Sequence, residues 1–287
     1  MSALPNTVSR RFILSGFAGF GLAIALHACG QPERPNASAE ASNNNDAVSP
    51  LKIGLNVGNV PWEYENDQGD LVGFEVDLVT LVAERLGRPT EFVDMPFTEL
   101  FPAVLSGRVD LAMSSITITE ERMETVDFAQ PYYDSDQSLT VLAEGAISSL
   151  EDMRGKVVAV DSDSTGDVWV QENMEGYGFS EIIRYEGLTA AMMDLKAGQY
   201  DGYISDIPAL LYYAKDHPEI AVVERIPTGE QYSMMFAKGN PLRDEINALI
   251  TELKEAGQMA EIHTRWFGRA PDANTSTVQA ADIPTLR

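Results

Sequence analysis

An α/β fold with parallel sheets flanked by helices is predicted for residues 51–268, and three observations predict it. Strand-like apolar runs alternate with helical patterns along the whole stretch. Three times an apolar run, a small polar turn and a helix follow in that order, at 109–120, at 157–168 and at 202–207. Helix ends carry their own signals: Thr119 stands where an N-cap belongs, and Gly87 with Pro89 stands where a helix must stop.

Taken in order, residues 51–57 read as a strand. Residues 76–86 read as a helix with Val79, Val82, Ala83 and Leu86 on one face. Thr98 can cap a helix over 99–106 that Gly107 ends. Residues 109–113 form a short buried strand, 114–118 the turn leaving it, and Thr119 caps a helix that starts at Glu120. The chain then crosses through 139–142 and repeats the pattern: strand 157–160, polar turn, helix near Val168, strand near Ile182, helix 188–197, strand 202–205 and a helix behind Asp206.

The segment 107–133, GRVDLAMSSITITEERMETVDFAQPYY, has the layout of an anion site. Free N–H groups at the front of its helix carry partial positive charge, so Arg122 in the first turn needs a negative partner. Glu120 and Glu121 are one choice. A ligand carboxylate held in the guanidinium fork, with Ser114, Ser115 and Thr117 completing the cradle, is the other.

This segment closely resembles the amino-acid-binding members of the bacterial extracellular solute-binding proteins, family 3, the receptors of ABC-type importers. Two further blocks match in order and spacing: GLNVGNVPWEYENDQGDLVGFEVDLVTLVAERLG from Gly54 and GQYDGYISDIPALLYY from Gly198. The resemblance implies a two-lobed periplasmic-binding-protein clamshell, each lobe a mainly parallel sheet flanked by helices, with two crossovers near 138–143 and 229–235. Lobe 1 would hold 51–140 plus 231–268 and lobe 2 would hold 141–230. The ligand would lie between them at the C-terminal ends of the strands.

The family also implies the site. Asp206 is an N-cap by its position, worth about 1 kcal/mol to its helix, and by resemblance it accepts a ligand α-ammonium. The turn Asp161–Asp167 lies between a strand and a helix; it reads as an ordinary capped turn or, by resemblance, as the second-lobe loop reaching the ligand carboxylate through Ser164 and Thr165. Asp163 stands where a glycine is common in the family. Trp62 and Phe97 match aromatics that flank the ligand side chain, although lone aromatics are usually core residues. Asn59 replaces a frequent aromatic. Asn56 and Asp161 face the distal end of the ligand, and with Glu63 they suit an amide, guanidinium or ammonium group.

The 287 residues carry a net charge of -24, and because the first 28 hold Arg10, Arg11 and no acid, the chain from Cys29 onward carries -26. Nucleic acid is excluded as a partner, since phosphate binding needs a basic face. The twin arginines, the 17-residue apolar run 12–28 and the ending Leu26, His27, Ala28, Cys29 form an export signal with a lipobox-like end. His27 departs from the usual small or β-branched residue, and a plain signal peptide with a chance cysteine is the alternative. Cys29 would be lipidated and anchor the protein to the membrane; as the sole cysteine it can form no internal disulfide. Residues 30–50 read as a disordered tether reaching roughly 25 Å. Residues 269–287 read as a polar accessory tail.

Catalytic motifs are lacking: His217 and His263 adjoin no readable nucleophile, and no Walker A loop, zinc spacing or dinucleotide fingerprint appears. The resulting expectation is a non-catalytic, cofactor-free and monomeric receptor at the cell surface or in the periplasm. It closes around a polar L-amino acid and delivers it to ABC permease subunits. Two alternatives share the clamshell. One is a dehydratase of prephenate-like substrates that uses Asp161 or Glu63 as general acid. The other is a sensory module that signals through a separate partner.

Overall fold

The computed structural model describes residues 48–286. The twin-arginine segment, Cys29 and the tether as far as residue 47 lie outside the described residues. In chain order the elements are β1 (Leu51–Leu55), β2 (Tyr64–Glu65), β3 (Leu71–Val72), α1 (Phe74–Leu86), β4 (Thr90–Asp94), α2 (Phe97–Leu105), β5 (Leu111–Ala112), α3 (Glu120–Thr125) and β6 (Val126–Phe128). There follow β7 (Tyr133–Leu142), β8 (Val157–Asp161), α4 (Thr165–Tyr177), β9 (Glu181–Tyr185), α5 (Leu188–Lys196), β10 (Gly202–Asp206), α6 (Ile207–Ala214), β11 (Ile220–Tyr232), β12 (Met235–Ala237), α7 (Leu242–Glu255) and α8 (Gln258–Phe267).

Two five-stranded sheets result, one in the order β4-β1-β5-β12-β6 and the other β11-β7-β10-β8-β9. Both are mixed rather than mainly parallel. β1 runs parallel to β4 and β5, and β8 parallel to β9 and β10, whereas β12 and β7 pair antiparallel with their neighbours. The antiparallel members are the strands that carry the chain into and out of each sheet. The chain leaves the first sheet after Phe128 and pairs in the second from Tyr133 onward. The Tyr133 ring still packs on Trp62 and Phe267, so the first crossing begins at 129–132 and runs into β7. The return crossing is at 233–234. The two crossings are held together by Tyr132 N donating to Tyr232 O at 2.9 Å and Ala129 N to Met234 O at 3.1 Å.

Apolar side chains explain why these strands are central. Leu51, Ile53 and Leu55 of β1 are fully buried, each stabilising the fold by about 1.5–3 kcal/mol relative to exposure. Val79, Val82 and Ala83 of α1 are buried against them as the periodicity predicts. One boundary moved. Pro96, not Thr98, precedes α2, and Phe97 and Thr98 lie in its first turn.

The tail is not loose. Ser276 N donates to Asp134 Oδ2 at 2.8 Å, Thr277 Oγ1 to Tyr132 O at 3.1 Å and Ala281 N to Gln130 Oε1 at 3.1 Å. Lys254 Nζ on α7 donates to Gln130 Oε1, Pro131 O and Gln279 O at 2.8, 2.7 and 3.0 Å. Its burial lowers the ammonium pKa to about 8. A polar composition suggested solvation, but here the polar groups are satisfied by the first crossing segment instead.

Candidate ligand-binding cleft

Between the two sheets lies a cavity lined by Asn56, Asn59, Phe97, Ser114, Ser115, Thr117 and Arg122 from one side and Asp161, Ser164, Thr165 and Asp206 from the other. Eleven of the twelve expected binding residues therefore meet in one place. Trp62 does not. Its ring is fully buried beneath the cleft, with its centroid 4.7 Å from that of Tyr133, 5.4 Å from Tyr232 and 5.6 Å from Phe74. The edge-to-face packing of a large apolar ring is satisfied there, so Trp62 is a core residue and not a wall of the cleft.

Glu63 is also withdrawn from the cleft. It is fully buried behind Ser114, whose Oγ donates to Glu63 Oε1 at 2.5 Å, and Asn59 Nδ2 donates to the same oxygen at 3.2 Å. Glu75 is the second carboxyl of this pocket and accepts from Ser115 N at 2.8 Å and from the Tyr132 hydroxyl. Burial, followed by the charge of Glu75, holds the Glu63 pKa well above the usual carboxylate range. The pair braces the turn at Ser115, whose φ of 45° is positive. Glu63 thus acts through Asn59 and the serines and cannot touch a ligand as a general acid.

Thr119 caps α3 as expected, accepting from Arg122 N at 3.1 Å. The guanidinium folds back over the cleft, donating through Nη1 to Thr117 O at 2.9 Å and through Nη2 across to Asp163 O at 3.2 Å. Its carbon lies 5.6 Å from the Phe97 ring centroid and 5.4 Å from that of Phe101, within the range of cation–π attraction. Among the described residues no carboxylate lies within 4.0 Å of it: Glu120 and Glu121 form no ion pair with Arg122. Burial lowers its pKa, opposed by the charges of Glu230 and Asp206.

On the opposite wall, Ser164 caps α4 by accepting from Asp167 N at 3.0 Å. Asp163 has a φ of 57°, the left-handed geometry a glycine would supply, so the aspartate keeps the loop path. Gly166 lets the helix approach closely, because a Cβ there would stand 2.9 Å from Gln137 Oε1 and 3.1 Å from Ile204 O. Asp206 makes no side-chain cap to α6. Pro208 has no N–H to offer, and the carboxylate turns instead to Gln137 Nε2 at 2.6 Å. Burial and then the charge of Glu230 raise the Asp206 pKa to about 8.

At the far end, Asp161 Oδ2 accepts from the Tyr203 hydroxyl at 2.5 Å and Ser205 Oγ at 3.2 Å. Its other oxygen, Oδ1, is buried with no hydrogen-bond partner among the described residues, and burial raises the pKa to about 6. Asn56 is anchored through Nδ2 on Met95 O at 3.3 Å, which leaves its carbonyl oxygen as an acceptor. His217 and His263 do not line the cavity. Two buried polar residues went unrecognised in the sequence. Glu230 and Gln137 sit beneath the cleft floor, and Glu230 meets Thr165, Gln137 and Thr117 across 65, 93 and 113 residues. No local pattern marks such contacts.

A family model described as bacterial extracellular solute-binding proteins, family 3, matches residues 51–269. The chain belongs to that family. Family members are extracytoplasmic, which places this one outside the cytoplasm. The chain is similar to the probable histidine-binding protein of Neisseria gonorrhoeae, 29% identical over 86% of this chain and 92% of that one. It is also similar to the arginine-binding extracellular protein ArtP of Bacillus subtilis, 30% identical over 86% and 94%. Among solved structures, the arginine-, lysine-, histidine-binding protein ArtJ of Geobacillus stearothermophilus superposes with a TM-score of 0.72 at 30% identity, covering 79% of this chain and 98% of that chain. The match to the family-3 model ends at residue 269, just before the tail that packs on the crossing.

Proposed function

We propose that this solute-binding protein is the amino-acid receptor of an ABC-type importer and that it binds without turnover. The observation that carries the reading is the Arg122 guanidinium, turned into the cleft with no carboxylate partner among the described residues, opposite an Asp206 carboxyl on the other lobe. An amino acid brings a carboxylate to the first and an ammonium to the second, so a single ligand spans the lobes and favours their closure. No general acid of the dehydratase reading remains except Asp161, which hydrogen bonds already orient toward the distal pocket.

The ligand is a cationic or amide-bearing amino acid. The unpartnered Asp161 oxygen and the Asn56 carbonyl are both acceptors, matched by a guanidinium, ammonium or imidazolium head, and the relatives named for arginine, lysine and histidine support that lean. Competition binding on the exported portion with arginine, lysine, histidine, glutamine, glutamate and leucine is expected to rank the cationic ligands first. Asp161→Ala is expected to erase the ranking. Glutamate or leucine binding tightest, or an unchanged order in Asp161→Ala, would overturn this assignment.

Cys29 is the attachment point: lipidated after export, it holds the binding module by the tether near its permease. Wild-type protein is expected in the membrane fraction and Cys29→Ser in the soluble fraction. Wild-type protein found wholly soluble would refute the anchor and leave the receptor reading intact.

A further inference from the structure

Glu230, near the end of β11, is a buried carboxylate with 6% exposure. All four of its hydrogen-bonding positions are filled. Oε1 accepts from Gln137 Nε2 at 2.9 Å and from Thr228 Oγ1 at 3.1 Å, and Oε2 accepts from Thr117 Oγ1 at 2.7 Å and Thr165 Oγ1 at 3.0 Å. Thr117 follows a strand of the first sheet, and Thr165 opens the helix behind β8 of the second. One carboxylate oxygen therefore joins the two walls of the cleft.

The consequence is chemical as well as mechanical. A threonine hydroxyl has a single proton. Both hydroxyls give theirs to Glu230, so neither has a donor left for a ligand carboxylate; only lone pairs remain, and one of those on Thr165 Oγ1 accepts from Gln137 Nε2 at 3.3 Å. Thr117 and Thr165 were expected to help bind the ligand carboxylate, yet the geometry assigns their protons elsewhere. The carboxylate is left to Arg122 and to backbone amides. Thr117 N, Thr165 N and Gly166 N have no assigned hydrogen-bond partner among the described residues, and the latter two stand at the start of α4, where amides favour an anion.

We propose that Glu230 is a positioning and specificity-determining residue. It clasps Thr117 to Thr165 across the cleft and fixes both hydroxyls as acceptors, so that they favour a ligand's ammonium and leave its carboxylate to Arg122. This rests on the amino-acid reading above. Charge placement agrees with it: among the charged neighbours, Glu230 acts most strongly on both Arg122 and Asp206, and it reinforces the anionic side of the site against a misplaced ligand carboxylate.

The test compares L-arginine with its decarboxylated analogue agmatine, by titration calorimetry on wild type, Glu230→Ala and Glu230→Gln. Loss of the clasp weakens both ligands, so the informative quantity is the ratio of their affinities. In Glu230→Ala the freed hydroxyls can donate to the arginine carboxylate, and the preference for arginine over agmatine is expected to rise about tenfold. Glu230→Gln keeps the shape and one acceptor oxygen and is expected to show a smaller rise in the same direction, which preserves the test should the alanine variant not fold. An arginine-to-agmatine ratio that stays at the wild-type value in both variants would overturn the proposal. Small-angle scattering of the unliganded proteins separates this from failure of the receptor reading. If wild type binds no amino acid, the receptor reading falls, while a larger radius of gyration in the variants still supports the clasp and an equal radius refutes it.

Discussion

Arg122→Ala is expected to weaken amino-acid binding by about 2 to 5 kcal/mol, the usual cost of removing one member of a desolvated charge-assisted pair. That is roughly thirtyfold to several thousandfold in affinity, read by isothermal titration. The size follows from two features. The guanidinium has no competing carboxylate among the described residues, and it is held by Thr117 O and Asp163 O so that little ordering remains to be done on binding. Arg122→Lys is expected to recover only part of the loss, because an ammonium cannot present the planar fork. The fold should tolerate the change, since Arg122 is not part of the core. An alanine variant that binds as tightly as wild type would make the arginine an electrostatic partner of Glu230 and not a ligand group.

Proton linkage at Asp206 predicts the second large effect. Burial and the nearby Glu230 charge raise the pKa of this carboxyl to about 8 in the empty cleft, so at neutral pH it is mainly protonated. A ligand ammonium needs the carboxylate, and binding therefore releases a proton. Affinity is expected to climb about tenfold per pH unit between pH 6 and 8 and to level off above it, a total of about a hundredfold. The same titration in Asp206→Asn should be weak and nearly flat over that window. The unliganded fold has the opposite sign. Because the folded pKa lies above the unfolded value, the preference for the protonated carboxyl is fully present below about pH 4 and fades as pH rises toward 8. Ligand stabilisation by thermal shift should consequently be larger at pH 8 than at pH 6. Equal affinities at the two pH values in wild type would show that Asp206 does not take the ammonium.

How much of this was readable in advance depended on how far apart the interacting residues lie in the chain. Thr119 and the amide of Arg122 are three residues apart, and the cap was visible from residue types and order alone. Gly87 terminating α1, the strand before Asp206 and the polar turn before α4 were legible for the same reason. Arg122 stood out because a cation at a helix start contradicts the local field. The resemblance to the solute-binding family placed Asn56, Phe97, Asp161, Thr165 and Asp206 around one cleft, which periodicity by itself could not do.

Tertiary packing decided the rest. Trp62 looks like a cleft aromatic from its place after β1, but the rings of Phe74, Tyr133 and Tyr232 converge on it from distant segments. Glu63 became half of a buried acid pair because Ser114 and Asn59 donate to it and Glu75 lies beside it. The polar tail became part of the structure because Gln130, Asp134 and Lys254 offer it partners. Thr117 and Thr165 kept their predicted positions and changed their predicted chemistry, since Glu230 arrives from another strand to take their protons. Local sequence determines the caps, turns and amphipathic faces through interactions between residues a few positions apart. The direction of a hydroxyl proton, or the side of a sheet on which a ring is buried, depends on which remote side chain reaches it first.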